Sequence, residues 1–195
     1  MSPSPPGEEG PDPLFELRAA LEKIDAAVAR CLAQAGKDIT CHRGCARCCV
    51  GGLSVLPVEA ALLEAALQEG SARLPEHSPE GMCVFLDEHG DCGVYAARPV
   101  LCRTHGLALK TAPDPERQGG NRVFGDDVEV CALNYQERAP APAEILDATR
   151  LLMLLVTVDR RFRARVGLPD DGGRVALADL AADLAAHGAR AEHEG

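Results

Sequence analysis

The chain has 195 residues, of which 46% are hydrophobic, enough for a folded domain with its own core and too many for a disordered chain. Aromatics make up only 3% and tryptophan is absent, so the core must be built from Leu, Val and Ala, which suits packed helices better than a β-sandwich. A formal net charge of −10 argues against sequence-independent nucleic-acid binding, which needs clustered cations to displace counterions.

The first 12 residues are acidic, rich in proline and glycine, and read as a disordered tail; they carry neither the positive start nor the apolar run of a signal peptide. Residues 13–190 are expected to form a single domain. From Leu14 onward Leu17, Leu21, Ile24, Val28 and Cys31 recur at spacings of three and four, one face of an amphipathic helix that Gly36 would stop. Cys31 lies on that stripe and is expected in the core, where a free cysteine behaves as a small hydrophobe. After a cysteine-rich stretch at 41–49 comes a short extended piece, 50–56. Pro57 suits the first turn of a helix that presents Val58, Leu62, Leu63, Ala66 and Leu67 on one face. Residues 70–81 read as a loop. In CVFLDEHGDCGVY two short apolar runs flank a polar, glycine-containing turn, which predicts a β-hairpin with Cys83 and Cys92 on its arms. AARPVLCR predicts a short helix opening near Pro99.

Residues 111–127, with two prolines and three glycines, read as a long surface loop, closed by a short strand at 128–131. Residues 143–166 read as one long helix, apolar nearly all round between 151 and 156 and therefore expected at the centre of the bundle. Arg160, Arg161, Arg163 and Arg165 fall at its end, where cations complement the macrodipole. A last helix over about 175–187 turns Leu177, Leu180 and Leu184 inward. The expected fold class is mainly α: a small helical domain with a cysteine-rich insert containing a short β-hairpin. The longest apolar run, 151–156, is far below the roughly 18 residues of a membrane span, so a cytoplasmic protein without membrane association is expected.

In the cytoplasm thiols stay reduced, so nine cysteines point to metal or redox chemistry rather than to a disulfide framework. Cys41, Cys45, Cys48 and Cys49 fall within nine residues, with Gly44 and Ala46 between them, so that a tight loop can turn several sulfurs toward one point. Soft thiolates select zinc or iron–sulfur over magnesium or calcium. Cys83, Cys92, Cys102 and Cys131 sit at turns or element ends, from which a loop can deliver a ligand. Neighbouring side chains diverge in extended or helical backbone, so the adjacent Cys48 and Cys49 would more easily face two metals, or one bind while the other packs. Eight thiolates could serve two four-thiolate zinc sites, or one four-iron cluster with a second site or open positions. Arg43, Arg47, His42, Arg98, Arg103 and His105 lie beside the cysteines with no acid nearby in sequence, where cations would lower thiol pKa values and offset cluster charge. His42 and His105 could ligate or stay solvated.

At these residues the chain resembles the YkgJ family of cysteine-cluster proteins, named for its CxxCxxCC motif, a zinc- or iron-chelating domain related to flagellin lysine N-methylases. The matching parts are Cys41 to Cys49, CVFLDEHGDCGVY, RPVLCR and Cys131, over roughly residues 41–135. The first gap here holds three residues where the usual motif has two. The resemblance implies that Cys41, Cys45, Cys48, Cys49, Cys83, Cys92, Cys102 and Cys131 are the metal-binding set, with zinc or an iron–sulfur cluster as cofactor. It leaves open whether the protein is an enzyme. A cluster-dependent protein methyltransferase acting on a protein substrate, a zinc-stapled module that binds a protein partner, and a metal-storage or redox-sensing protein all fit. The CxxxCxxC spacing of Cys41, Cys45 and Cys48 also touches radical S-adenosylmethionine chemistry, but the alternating strands and helices of those enzymes are missing and Arg47 stands where an aromatic is usual.

Overall fold

The structure, a computed structural model, describes residues 12–112, 121–125 and 127–193, with side chains to 186. The expected tail, but for Asp12, lies outside the described residues, as does most of the 111–127 loop. The first helix, α1 (Phe15–Ala35), buries Leu17, Leu21, Ile24, Val28 and Cys31 on the predicted stripe. It ends at Gly36, whose φ of +53° suits a residue without a side chain. Strand β1 (Ser54–Val55) follows the cysteine loop, then α2 (Pro57–Gln68), with Pro57 in its first turn. A short helix, α3 (Val100–Thr104), leads into β2 (Ala108–Lys110), and β3 (Arg122–Phe124) and β4 (Val128–Val130) come next. The chain closes with β5 (Ile145–Asp147), α4 (Ala148–Val166), β6 (Val175–Ala176) and α5 (Leu177–His193).

Helices α1, α2, α4 and α5 share one apolar core of Leu, Val, Ile and Ala, with Phe85 and Phe162 among its few aromatics. Two small sheets flank it. One pairs β1 with β6; the other runs β3-β4-β2-β5, antiparallel except for the parallel β2–β5 pair. The fold is therefore mixed rather than mainly α, with five helices and six strands of two or three residues among the described residues. Strands this short carry too little period-two pattern to be read from sequence.

Three local expectations fail for identifiable reasons. The 83–95 hairpin is reduced to a single antiparallel bridge, Leu86 to Cys92. The Asp87 carboxylate accepts the N–H groups of His89 (3.0 Å) and Asp91 (2.9 Å), satisfying locally what a ladder would otherwise pair. The helix expected over 143–166 begins only at Ala148, because 145–147 pair with β2 and Asp147 caps the helix through Arg150 N–H (2.9 Å). That helix is also not central: Leu152, Met153 and Leu154 are 54%, 66% and 41% exposed. Only Leu155, Val158, Asp159, Phe162 and Arg163 turn fully inward, a narrow stripe on an outer helix.

The arginine run pairs within the chain, mostly at its surface. Arg161 and Arg165 bond Glu16 at the start of α1 (2.9 and 3.1 Å). Arg163, only 3% exposed, donates to Asp159 (2.6 Å) and to Pro169 O (2.7 Å), while Asp159 also accepts the Val58 N–H (3.0 Å) at the start of α2. No described helix is long and apolar enough to cross a membrane.

Candidate metal centre

The cysteine loop turns twice in nine residues. The Cys45 N–H donates to His42 O (3.0 Å) and the Cys49 N–H to Ala46 O (2.9 Å), giving two successive β-turns. Gly44 takes a φ of +87° at the third position of the first turn, a conformation open to glycine at no steric cost. This turn absorbs the three-residue gap between Cys41 and Cys45. Beyond the second turn, Cys49 O accepts the Cys83 N–H (2.9 Å), Gly81 O accepts the Gly51 N–H (2.9 Å), and Val50 bridges Met82. The close approach depends on Gly51, where a Cβ would lie 3.2 Å from Gly81 O. The backbone thus sets Cys83 directly beside Cys49.

The other cysteines arrive on separately anchored segments. Cys92 sits on the far arm of the Asp87 turn, held by the Gly93 N–H to Phe85 O bond (2.8 Å). Cys102 rides α3, whose Val100 N–H donates to Glu59 Oε1 (2.8 Å); Glu59 Oε2 accepts Leu56 N–H (3.2 Å), so one buried carboxylate joins the starts of α2 and α3. Cys131 follows β4 and opens a turn in which Asn134 N–H donates to Cys131 O (2.9 Å). Asn134 is fully buried, and its side chain reaches Thr40, Gly106 O and the Cys41 sulfur.

All nine cysteines are free thiols. Cys31 stays apart in the core beneath α1. Electrostatic influence links the other eight in two overlapping sets. Cys41 lies within electrostatic reach of Cys45, Cys131 and Cys48. Cys49 senses Cys83 and Cys92, Cys92 senses Cys83, and Cys102 senses Cys83 and Cys92. The boundary runs between Cys48 and Cys49, which hydrogen-bond each other, and Cys102 also feels Cys48 across it. Among the described residues no three Cys, His, Asp or Glu side chains already stand in the geometry of a bound ion. Loading either group requires its thiols to lose their protons and its sulfurs to close to about 2.3 Å from the metal.

The thiol pKa values differ across the site. Cys48 is pulled down to about 6, chiefly by the hydrogen bond it receives from Cys49, against burial and with help from His105. Cys49, which keeps the shared proton, moves up. Burial also raises Cys83 and Cys92 and pushes Cys102 up to about 12. Cys102 is exposed by residue area, yet protein surrounds its sulfur closely enough for desolvation to dominate, and the sulfur's own surroundings decide the thiol's behaviour. The neighbouring arginines do less for the thiols than their sequence positions suggest. Arg43 bonds Asp91 (2.7 Å), and Arg103 is buried against Asp25 and the carbonyls of Ala96 and Arg98. Arg98 stacks 4.0 Å from the Tyr95 ring centre and still lowers Cys92 slightly. Asp91 and Asp25 lie 48 and 78 positions from the arginines they pair with, which is why residues 41–49 and 98–105, read alone, look free of acid.

Asn134, Gly106 and Glu59 had no sequence signal. Each acts on a residue at least 28 positions away, and single polar or glycine residues show no pattern when read locally. The donor set is soft: eight free thiols, with the nearest carboxylates already taken, Asp91 by Arg43, Asp87 by turn N–H groups and Arg73, and Glu59 by two backbone N–H groups. Such a set fits zinc or iron and not magnesium or calcium.

Reduced thiols carried by several segments around one turning loop define the class, a protein that binds metal through a cysteine cluster. Residues 40–141 match the model of the CxxCxxCC family, described as "Putative zinc- or iron-chelating domain". The match covers more than half of the 195 residues, and the chain belongs to this family. No curated protein matches the chain, and no solved structure does.

Proposed function

We propose that the protein holds two thiolate metal centres side by side. Cys41, Cys45, Cys48 and Cys131 form one; Cys49, Cys83, Cys92 and Cys102 form the other. The metal is zinc or iron in an iron–sulfur cluster, both of which accept four thiolates. The observation that carries this reading is geometric: the backbone pairs Cys49 with Cys83 (2.9 Å), whereas Cys41 and Cys131 meet around Gly106, where a Cβ would lie 3.0 Å from Cys41 Sγ and 4.0 Å from Cys131 Cβ. The cluster gives the cytoplasmic, YkgJ-like role its chemical content, which is tight metal retention by reduced thiols.

Elemental analysis and an absorption spectrum of protein purified without oxygen test the reading. Colourless protein with two zinc ions per chain supports two closed zinc centres, and brown protein with iron and sulfide supports the cluster form. Protein that retains neither metal under reducing conditions, and takes up neither when supplied, sinks the proposal.

A further inference from the structure

Asn134 uses every hydrogen-bonding position of its side chain in one place. Oδ1 accepts the Thr40 N–H (2.9 Å) and the Thr40 hydroxyl (3.0 Å). Nδ2 donates to Gly106 O (2.6 Å) and to the Cys41 sulfur (3.5 Å). The orientation of the amide is forced: a backbone N–H can only donate, so the amide oxygen faces Thr40 and the NH2 faces the sulfur. Cys41 Sγ is therefore met by a donor, which favours sulfur in its anionic or metal-bound form. The same residue closes the turn that begins at Cys131. One buried amide thus joins the segments at 40–41, 106 and 131–134, two of which carry cysteines of the first group. A polar side chain at 0% exposure is costly unless fully bonded, and here one of its four bonds goes to a cysteine sulfur.

We propose that Asn134 is the positioning residue of the Cys41 centre, fixing the Cys41 sulfur beside Cys131 and drawing charge from the metal-bound thiolate through its N–H···S bond. The inference rests on the reading that this group binds metal. Partners of this kind, one step out from the ligands, change metal affinity about 10–100-fold and tune the electronics of the bound sulfur. Glycine at 106 completes the arrangement, since a Cβ there would stand 3.0 Å from Cys41 Sγ.

The test is a Co2+ titration of the full-length, reduced, metal-free protein under argon, read by sulfur-to-cobalt charge-transfer absorption. The wild type is expected to take two ions. Asn134→Asp keeps the size of the side chain and its bonds to Thr40 but points an acceptor at the sulfur. It should weaken one of the two sites about 10–100-fold and shift that site's charge-transfer band, leaving the other unchanged. Equal affinities and identical spectra in variant and wild type overturn the role of Asn134 while leaving metal binding intact. A wild type that takes up no cobalt overturns the metal reading and this inference with it. A second measurement avoids variants altogether: in wild-type protein loaded with NMR-active cadmium, a scalar coupling between the metal and an Asn134 side-chain amide proton is expected, and its absence overturns the bond.

Discussion

The two proposed cysteine groups are supported in different ways. Cys49, Cys83, Cys92 and Cys102 are tied into the helical frame. Cys83 and Cys92 pack against the main core, and Cys102 rides a helix whose first N–H is held by Glu59 of α2. Cys41, Cys45, Cys48 and Cys131 are assembled from turns and a strand end, and the bonds that cross between the 38–41 and 131–135 segments include the Asn134 amide, the Thr40 hydroxyl to Leu133 O and the Tyr135 N–H to Asp38 O. Burial raises thiols in both groups, Cys41 as well as Cys83, Cys92 and Cys102, and Cys48 is lowered chiefly by the bond it receives from Cys49 of the other group. The difference teaches that the helical frame holds one group through the packed core, while the loop-built group depends for its shape on a few polar contacts around Thr40 and Asn134. The second group should therefore be the more retentive centre.

Removing a ligand from either group is the most forceful way to break that comparison. Cys45→Ser is expected to halve metal content and leave the second centre filled; Cys92→Ser should do the reverse. Structural metal sites carry folding energy on the order of 10 kcal/mol, so each variant should also unfold at markedly lower denaturant than the wild type. Metal analysis together with urea titration checks both. If Cys45→Ser empties both centres or neither, the division into two groups is wrong.

A subtler strike at the loop-built centre is Gly106→Ala. The residue has a φ of +93°, and the added methyl would crowd the Cys41 sulfur. Backbone strain of this kind costs roughly 1–3 kcal/mol. The first centre should lose affinity while the second keeps its own, and cobalt titration of the variant reads the two separately. The frame-built centre has a counterpart in Glu59→Gln. An amide can accept from only one of the two N–H groups the carboxylate now holds, and the buried donor left over costs about 1–2 kcal/mol. The loss should appear in urea unfolding and in weaker binding at the Cys102 centre alone. Equal weakening at both centres would show that Glu59 supports the fold generally and not α3 in particular.

How much of this was legible in the sequence follows from how local each feature is. The α1 stripe, the Gly36 stop, Pro57 opening α2 and the short helix after Pro99 all depend on neighbours within a turn or two, and all stand in the structure. Chain geometry predicts that Cys48 and Cys49 diverge, but in the turn that closes at Cys49 their side chains meet and share a hydrogen bond. The hairpin was misread because the Asp87 side chain replaces ladder bonds, and the start of α4 because β2, more than 30 residues earlier, recruits 145–147 as a strand. Apolar residues at 151–156 suggested a central helix, but an apolar composition does not say which residues turn inward, and Leu152 and Met153 stand 54% and 66% exposed. Asn134 and Glu59 were invisible for the same reason: they act at separations of 93 and 41 residues.

The smallest expected effect tests the count of eight. Cys31 has the same chemistry as the others, but it is 5% exposed on the inner face of α1, and its sulfur faces Ala143 O at 4.0 Å with the other cysteines elsewhere. Burial raises its pKa, so it stays a neutral thiol that packs as a small hydrophobe. Cys31→Ala removes one sulfur from a packed site and should cost about 1 kcal/mol, shifting the unfolding midpoint slightly. Metal content and the absorption spectrum should not change, because neither group includes this residue. The substitution therefore separates two kinds of buried cysteine that composition alone treats alike. A loss of metal in this variant would place a ninth sulfur within reach of the cluster, and the division into two sets of four would have to be redrawn around it.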